Sequence, residues 1–213
     1  MKKWKRWLRV DFWKFLKWNY FSPTVHRDRG AYLVPYRHSV VDIHKSARLE
    51  LHANLYLNPR EVRGSKQEAV LFVRKNGRLV VNGESRVYSG AMVQVHRGAQ
   101  ITMGKAYINH GATIISQNKM ELGDGILVSR NCILFDSDFH KIVDERGNQL
   151  NTPRDFKIGS HVWIGVNATL LRGTNIGDGA VIGAGAVVGG KIKAGTMAAG
   201  NPARSYSQIL WEE

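Results

Sequence analysis

Long apolar runs are missing from this chain. No stretch of 18 apolar residues occurs, which excludes an ordinary membrane-spanning helix. The N-terminus also lacks the uninterrupted apolar core and small-residue cleavage site of a secretory signal. Cysteine is nearly absent: Cys132 is the single thiol, so there is no disulfide framework. Its inward small slot in VSRNCI predicts core packing, with a cytoplasmic, reducing address. Acidic residues are scarce, 17 Asp and Glu against 31 Lys and Arg, for a formal charge of +14. Such a surplus favours anionic partners: a phosphate-bearing cofactor, a polyanionic glycan or a lipid-linked sugar. No nucleic-acid partner is expected, because no binding module is present and the basic residues are scattered. Nor do the histidines, His26, His38, His44, His52, His96, His110, His140 and His161, fall in close pairs. The three-histidine zinc site of a hydratase is therefore not expected, and no metal is assigned.

What the chain does have is a period of six. Seven consecutive words run from Ile158 to Ala199: IGSHVW, IGVNAT, LLRGTN, IGDGAV, IGAGAV, VGGKIK and AGTMAA. Six is neither the 3.6 of a helix nor the alternation of a two-sided strand, so a short strand and a turn must repeat. The first positions, Ile158, Ile164, Leu170, Ile176, Ile182, Val188 and Ala194, are expected to point inward and stack into an aliphatic column. The fifth positions, Val162 through Ala198 and including Ile192, are expected at tight corners, with second-position glycine supplying backbone freedom where the chain bends. Broken forms of the code extend upstream through Ile43, Leu49 and Leu55, then Ile108 and Ile114, then Leu122, Val128 and Leu134.

The organisation read from these patterns is a basic, Trp-rich helix at 1–22, a repeat domain at 23–203 and a C-terminal cap at 204–213. Two polar stretches without the period, 58–68 and a loop insertion at 136–157, should protrude, and protruding loops on a stiff scaffold carry chemistry. As a helix, the first segment places Trp4, Trp7, Leu8, Phe12, Phe15, Leu16 and Tyr20 on one face with a basic rim. That face either packs on the repeat domain or a neighbouring copy, or docks at the inner face of an anionic membrane. Ile209, Leu210 and Trp211 are expected to fold back on the last coil or a neighbour.

The chemical centre lies in FDSDFHKIVDERGNQLN, residues 135–151. Proton transfer near neutral pH needs a side chain that changes charge there, and imidazole has the right intrinsic pKa. His140 is the candidate base. Asp136 and Asp138 are near enough in sequence for one of them to hold its other ring nitrogen.

The order YIN, LGDGILVSRNCIL, DSDFH, IGSHVWIG, VIGAGAVV and AGNPAR resembles the hexapeptide-repeat acyltransferases. The nearest members are bacterial glycan or polysaccharide O-acetyltransferases and galactoside acetyltransferase. The resemblance implies an all-β, left-handed parallel β-helix, a triangular prism with three words per turn. Handedness comes from the resemblance alone, since crossover connections are normally right-handed. It further implies an acetyl-CoA donor, a sugar or glycan acceptor, a homotrimer, and direct transfer with His140 in the catalytic position. Asn109 matches the asparagine of the acceptor pocket, though it could serve equally as a turn residue. Trp163 would lie beside that pocket or pack on a neighbouring subunit. The pantetheine arm would run between subunits past Gly165, Val166, Ala184, Gly185 and Gly189, with the nucleotide phosphates near Lys191, Lys193 and Arg204. GAGAVVGGK departs from the family by lacking a hydroxyl residue after the last valine, which leaves the contacts at Gly189 and Gly190 to backbone. Two other readings stand beside this one: a relative with an amine, serine or antibiotic acceptor, which would also need a base, and a scaffold without activity.

Overall fold

The computed structural model describes residues 9–59 and 65–212. The chain winds through three parallel sheets that form the faces of a column. The first face runs from β1 (Val25–Arg27) to β22 (Lys191–Ile192) in eight strands. The second runs from β2 (Leu33–Pro35) to β23 (Thr196–Gly200), and the third from β3 (Ser39–Ile43) to β21 (Val187–Val188) in seven. Each neighbour within a face is one full turn of chain away, as a six-residue word per face requires.

The core is the stack of inward residues. On the first face Leu51, Val81, Met103, Leu122, Ile158, Ile176 and Ile192 lie in register, and all are at most 4% exposed. Burying one such side chain contributes about 1.5–3 kcal/mol, and stacking makes each coil depend on the next. Successive partners Ile158 and Ile176 are eighteen residues apart, which is three words.

The code differs from its expected form in three places. In the first five words the residue with φ in the left-handed region is the fourth, His161, Asn167 and Gly185 among them, and not the second; in the last word it is the second, Gly195. The second-position glycine meets a steric limit instead: a Cβ on Gly165 would lie 2.7 Å from both the Ala184 nitrogen and the Ile182 carbonyl of the next coil. The last turn is two residues shorter than the eighteen-residue turn before it, since Ile158 pairs with Ile176 but Ile176 pairs with Ile192. The chain passes from β21 to β22 through Gly189 and Gly190 alone, so Ile192 sits in a strand facing inward and Ala194 turns outward to solvent.

The ends of the column also differ. A short helix, α1 (Phe12–Leu16), capped by the Asp11 side chain, runs into a π-helical turn at Lys17–Phe21. The wider turn rotates the apolar face: Phe15 and Trp18 are buried against the first coil, whereas Phe12 and Tyr20 are 62% and 55% exposed. Trp4, Trp7 and Leu8 of the expected face lie outside the described residues. At the other end β24 (Ala203–Gln208) reverses direction and pairs antiparallel with β23. Leu210 is fully exposed, and Trp211 folds back onto His161.

The loop begins at Asp136 and closes sooner than expected, because Phe156 is already a core residue of β16 (Phe156–Ile158). It leaves the column at the edge between the third and first faces.

Candidate active site

Asp136 anchors the root of the loop. Its carboxylate is fully buried and accepts hydrogen bonds from the Ser116 hydroxyl, from Gln117 N at 2.7 Å and from Asn118 N at 3.1 Å. Three donors on one carboxylate fix where the chain departs. Ser137 Oγ then donates to Gln117 Oε1 at 2.8 Å. Phe139 follows with φ +61°, a conformation rare for a bulky residue, held edge-on against Phe135 at 5.3 Å and His96 at 5.6 Å.

His140 comes next, exposed at the rim of an open depression of about 210 Å³ with Gln117, Asn118, Lys141, Asn151 and Arg172 among its lining residues. Asn151 clasps the backbone on both sides of Lys141: its side chain donates to the His140 carbonyl at 2.6 Å and accepts from Ile142 N at 2.8 Å. Asp138 accepts from Arg172 Nε at 2.8 Å, and its carbonyl accepts from His140 N at 2.6 Å. Neither Asp136 nor Asp138 is hydrogen-bonded to the His140 ring among the described residues. Arg172, Asn151 and the Gln117–Asn118 pair are site residues that sequence reasoning missed. Arg172 carried one overlooked signal, a charge inside the otherwise uncharged word LLRGTN.

The remaining expected residues lie on other parts of the column. Asn109 is on the edge between the second and third faces, where its side chain donates to the Val128 carbonyl of the next coil at 2.9 Å. Gly165, Val166, Ala184 and Gly185 share that edge, while Gly189 is on the His140 edge. Trp163 points outward from the second face, 43% exposed, donating to Ser129 Oγ at 3.1 Å. Trp211 packs beside it at 6.1 Å and stacks on His161 at 3.9 Å. One chain therefore does not bring Asn109 or Trp163 to His140.

The small-residue edges offer room for a ligand. A Cβ at Gly185, Gly189 or Gly190 would meet nothing within 4 Å, and Gly189 and Gly190 have no left-handed φ to account for them. Lys193 lines a depression of about 190 Å³ with Thr196, Ser205, Tyr206, Ser207 and Gln208. Lys191 and Arg204 are exposed nearby in the chain.

Cys132 is buried, and its thiol donates to the Gly165 carbonyl at 3.1 Å. Burial pushes that thiol above its usual range, which suits packing and not nucleophilic attack. Among the described residues no three His, Cys, Asp or Glu side chains converge, and no helix is long and apolar enough to cross a membrane.

Comparisons with known proteins point one way. The family model described as bacterial transferase hexapeptide (six repeats) matches residues 157–190. A Mycobacterium tuberculosis protein named a probable acetyltransferase is 27% identical over 213 residues, covering 97% of this chain and 60% of that protein. This chain is thus shorter than that relative. An Escherichia coli K12 protein, provisionally named a lipopolysaccharide biosynthesis O-acetyl transferase, is 30% identical over 131 residues, covering 55% of this chain and 67% of that one. Among solved structures, the polySia specific acetyltransferase NeuO aligns over 89% of both chains with a TM-score of 0.51 at 21% identity. The shared fold is the left-handed parallel β-helix.

Proposed function

We propose a reaction for this chain from one premise: it belongs to the hexapeptide-repeat acyltransferases. The reaction is transfer of an acetyl group from acetyl-CoA to a hydroxyl of a sugar or polysaccharide, with His140 as general base. The observation that carries it is the construction of the loop. An exposed imidazole stands at the rim of a polar depression, on a backbone pinned by Asp136 at its root and Asn151 at its return.

In the proposed step the His140 ring takes the hydroxyl proton as the acceptor oxygen attacks the thioester carbonyl. When the carbon–sulfur bond breaks, the imidazolium returns the proton to the departing thiolate. A backbone N–H of an adjacent coil would meet the charge on the carbonyl oxygen. Asp138 and Asp136 act as positioning residues, Asp138 through its pair with Arg172. The open space at Gly185, Gly189 and Gly190 fits an extended arm lying close to backbone, with Lys191, Lys193 and Arg204 placed to meet phosphates. Because Gly185 and Gly189 occupy different edges, one arm reaches both sets only across two copies, and the same holds for Asn109 with His140. A homotrimer supplies that arrangement. The apolar loop tip, with Ile142, Val143 and Leu150 about half exposed, gives the neighbouring copy a surface to cover.

The test is release of CoA in the presence of candidate glycans. His140→Ala is expected to lower kcat by about 10²- to 10⁴-fold. Cys132→Ser, whose hydroxyl can still donate to Gly165, should retain the rate. Full activity without the imidazole ends the assignment.

A contact with anionic membrane is proposed for the N-terminal end, from Trp13, Phe21 and Phe12, which are 80%, 77% and 62% exposed beside the exposed Lys17. Since Phe15 and Trp18 belong to the fold, the variant to use is Trp13→Ser with Phe21→Ser. Its co-sedimentation with anionic liposomes should fall several-fold, and unchanged sedimentation would remove the idea.

A further inference from the structure

Three consecutive turns of the third-to-first edge end in a basic pair. They are His44–Lys45 after β3, Arg74–Lys75 after β6 (Ala69–Val73) and His96–Arg97 after β9 (Met92–Val95). Backbone hydrogen bonds stack them: His44 N donates to Val73 O, Arg74 N to Val95 O and His96 N to Ser116 O, each at 2.9 Å. The pairs therefore form a ladder whose rungs are about 4.8 Å apart, the spacing of adjacent strands. The rung above is Gln117–Asn118, which lines the His140 depression.

His44, Arg74, Lys75, His96 and Arg97 line an open groove of about 370 Å³. Among the described residues one carboxylate is hydrogen-bonded to this set, Asp42, which accepts from Arg74 Nη1 at 2.9 Å. Lys45, Lys75 and Arg97 have no ion pair among the described residues. Like charges held side by side on a stiff edge repel, and a groove of one sign concentrates ions of the other. Burial first, and then the Arg74 guanidinium, hold the His96 imidazole below its usual range, with the Asp136 carboxylate pulling the other way. The groove is also joined physically to the reactive loop, because Phe139, the residue before His140, packs edge-on against the His96 ring.

We propose that this ladder holds the anionic part of the acceptor, a glycan bearing carboxylate or phosphate groups, laid along the edge so that a hydroxyl further along reaches His140. The place of the hydroxyl rests on the transferase reading; the binding of the anion does not. Spacing and charge carry the recognition. Repeating anions can meet successive rungs, whereas a neutral polymer brings no charged acceptor to them.

The experiment is equilibrium binding of the full chain, read by fluorescence anisotropy without turnover. The probes are labelled polygalacturonate for the carboxylate arm, labelled phosphomannan for the phosphate arm and labelled neutral dextran as comparison. The chain should bind at least one anionic polymer, with affinity falling as salt rises, and should not bind dextran. Lys75→Glu with Arg97→Glu should weaken that binding by at least about tenfold, because two charge-assisted contacts become repulsive. Arg29→Glu with Arg37→Glu makes the same charge change at exposed positions on the other two edges and should bind within about twofold of the parent chain. His140→Ala should bind as the parent does, so a failed catalytic assignment and a failed acceptor edge give different results. Four outcomes overturn the proposal: no preference for either anionic polymer over dextran, unchanged affinity in the ladder variant, equal loss in the Arg29 and Arg37 variant, or loss of acetyl-CoA binding in the ladder variant with polymer binding intact. The last would assign the edge to the nucleotide phosphates of the donor.

Discussion

Replacing Asp136 by Asn removes one charge and changes almost no volume, so its effect isolates what the carboxylate does. In the native chain one oxygen accepts from Gln117 N, and the other accepts from both the Ser116 hydroxyl and Asn118 N. An amide has one acceptor atom. If its oxygen stays on Gln117 N, the NH2 faces the serine hydroxyl, which can rotate to accept, and Asn118 N, which cannot. One partly buried N–H then loses its partner at about 1–3 kcal/mol, and the surviving bonds fall from the charged to the neutral scale. The total is about 2–5 kcal/mol, with no screening by solvent because the residue is fully buried. For a chain of this size that corresponds to a Tm lower by roughly 5–15 °C. The assay is thermal unfolding by circular dichroism at pH 7, run beside CoA-release kinetics at a temperature where both proteins are folded. Relaxation of Gln117 and Asn118, which line the His140 depression, should also lower kcat. A Tm within about a degree of the parent, together with lost activity, would refute the reasoning, since a change of 1 kcal/mol already moves Tm by about 2–4 °C. It would make Asp136 a partner of the imidazole and not the anchor of its loop.

Two further predictions concern the column itself. Gly165→Ala forces a Cβ to 2.7 Å from the Ala184 nitrogen and the Ile182 carbonyl, backbone atoms that cannot move aside. Tm should drop by several degrees with or without acetyl-CoA, and an unchanged Tm would return Gly165 to a purely ligand-related role. Glu50 receives both Arg78 donors at 2.8 Å and lies near Arg48 at 2.7 Å, and the Arg78 hydrogen bonds hold its carboxyl below the usual value of 4.5. A lowered native pKa means stability that is present above about pH 4.5 and lost as pH falls through the native value. Glu50→Gln should therefore remove about 1 kcal/mol at neutral pH and flatten the acid side of the Tm against pH curve; a parallel, undiminished acid slope would count against it.

The column was legible because its code is spatial. An inward aliphatic must recur every six residues if Ile158, Ile164 and Leu170 are to stack, and nothing in the loops can mask that rule. Which glycine does what was not legible. A second-position glycine excluded by the next coil and a fourth-position residue with positive φ look alike in one dimension. The two-residue shortening at Gly189 and Gly190 was hidden for a similar reason, since the words continue to read plausibly after the register has slipped. Within the site, the imidazole and its loop were readable, but the partners of Asp136 and Asp138 were not. Ser116, Gln117 and Arg172 reach them from neighbouring coils, about 20 and 34 residues away in sequence. The basic ladder left a trace in HKS, RKN and HRG, three basic pairs each ending a strand. The traces were misaligned because the coils between them differ in length.

The reversal of β24 has a consequence for the company the molecule keeps. A stack of parallel strands offers its last rung as a template on which any chain of like pattern can add, in the manner of a growing fibre. Here one open rung is taken by a strand running the other way, and the other two, β21 and β22, are two residues long. Too little edge is left at this end to seed a second column, so another copy of this protein should not add to it end on.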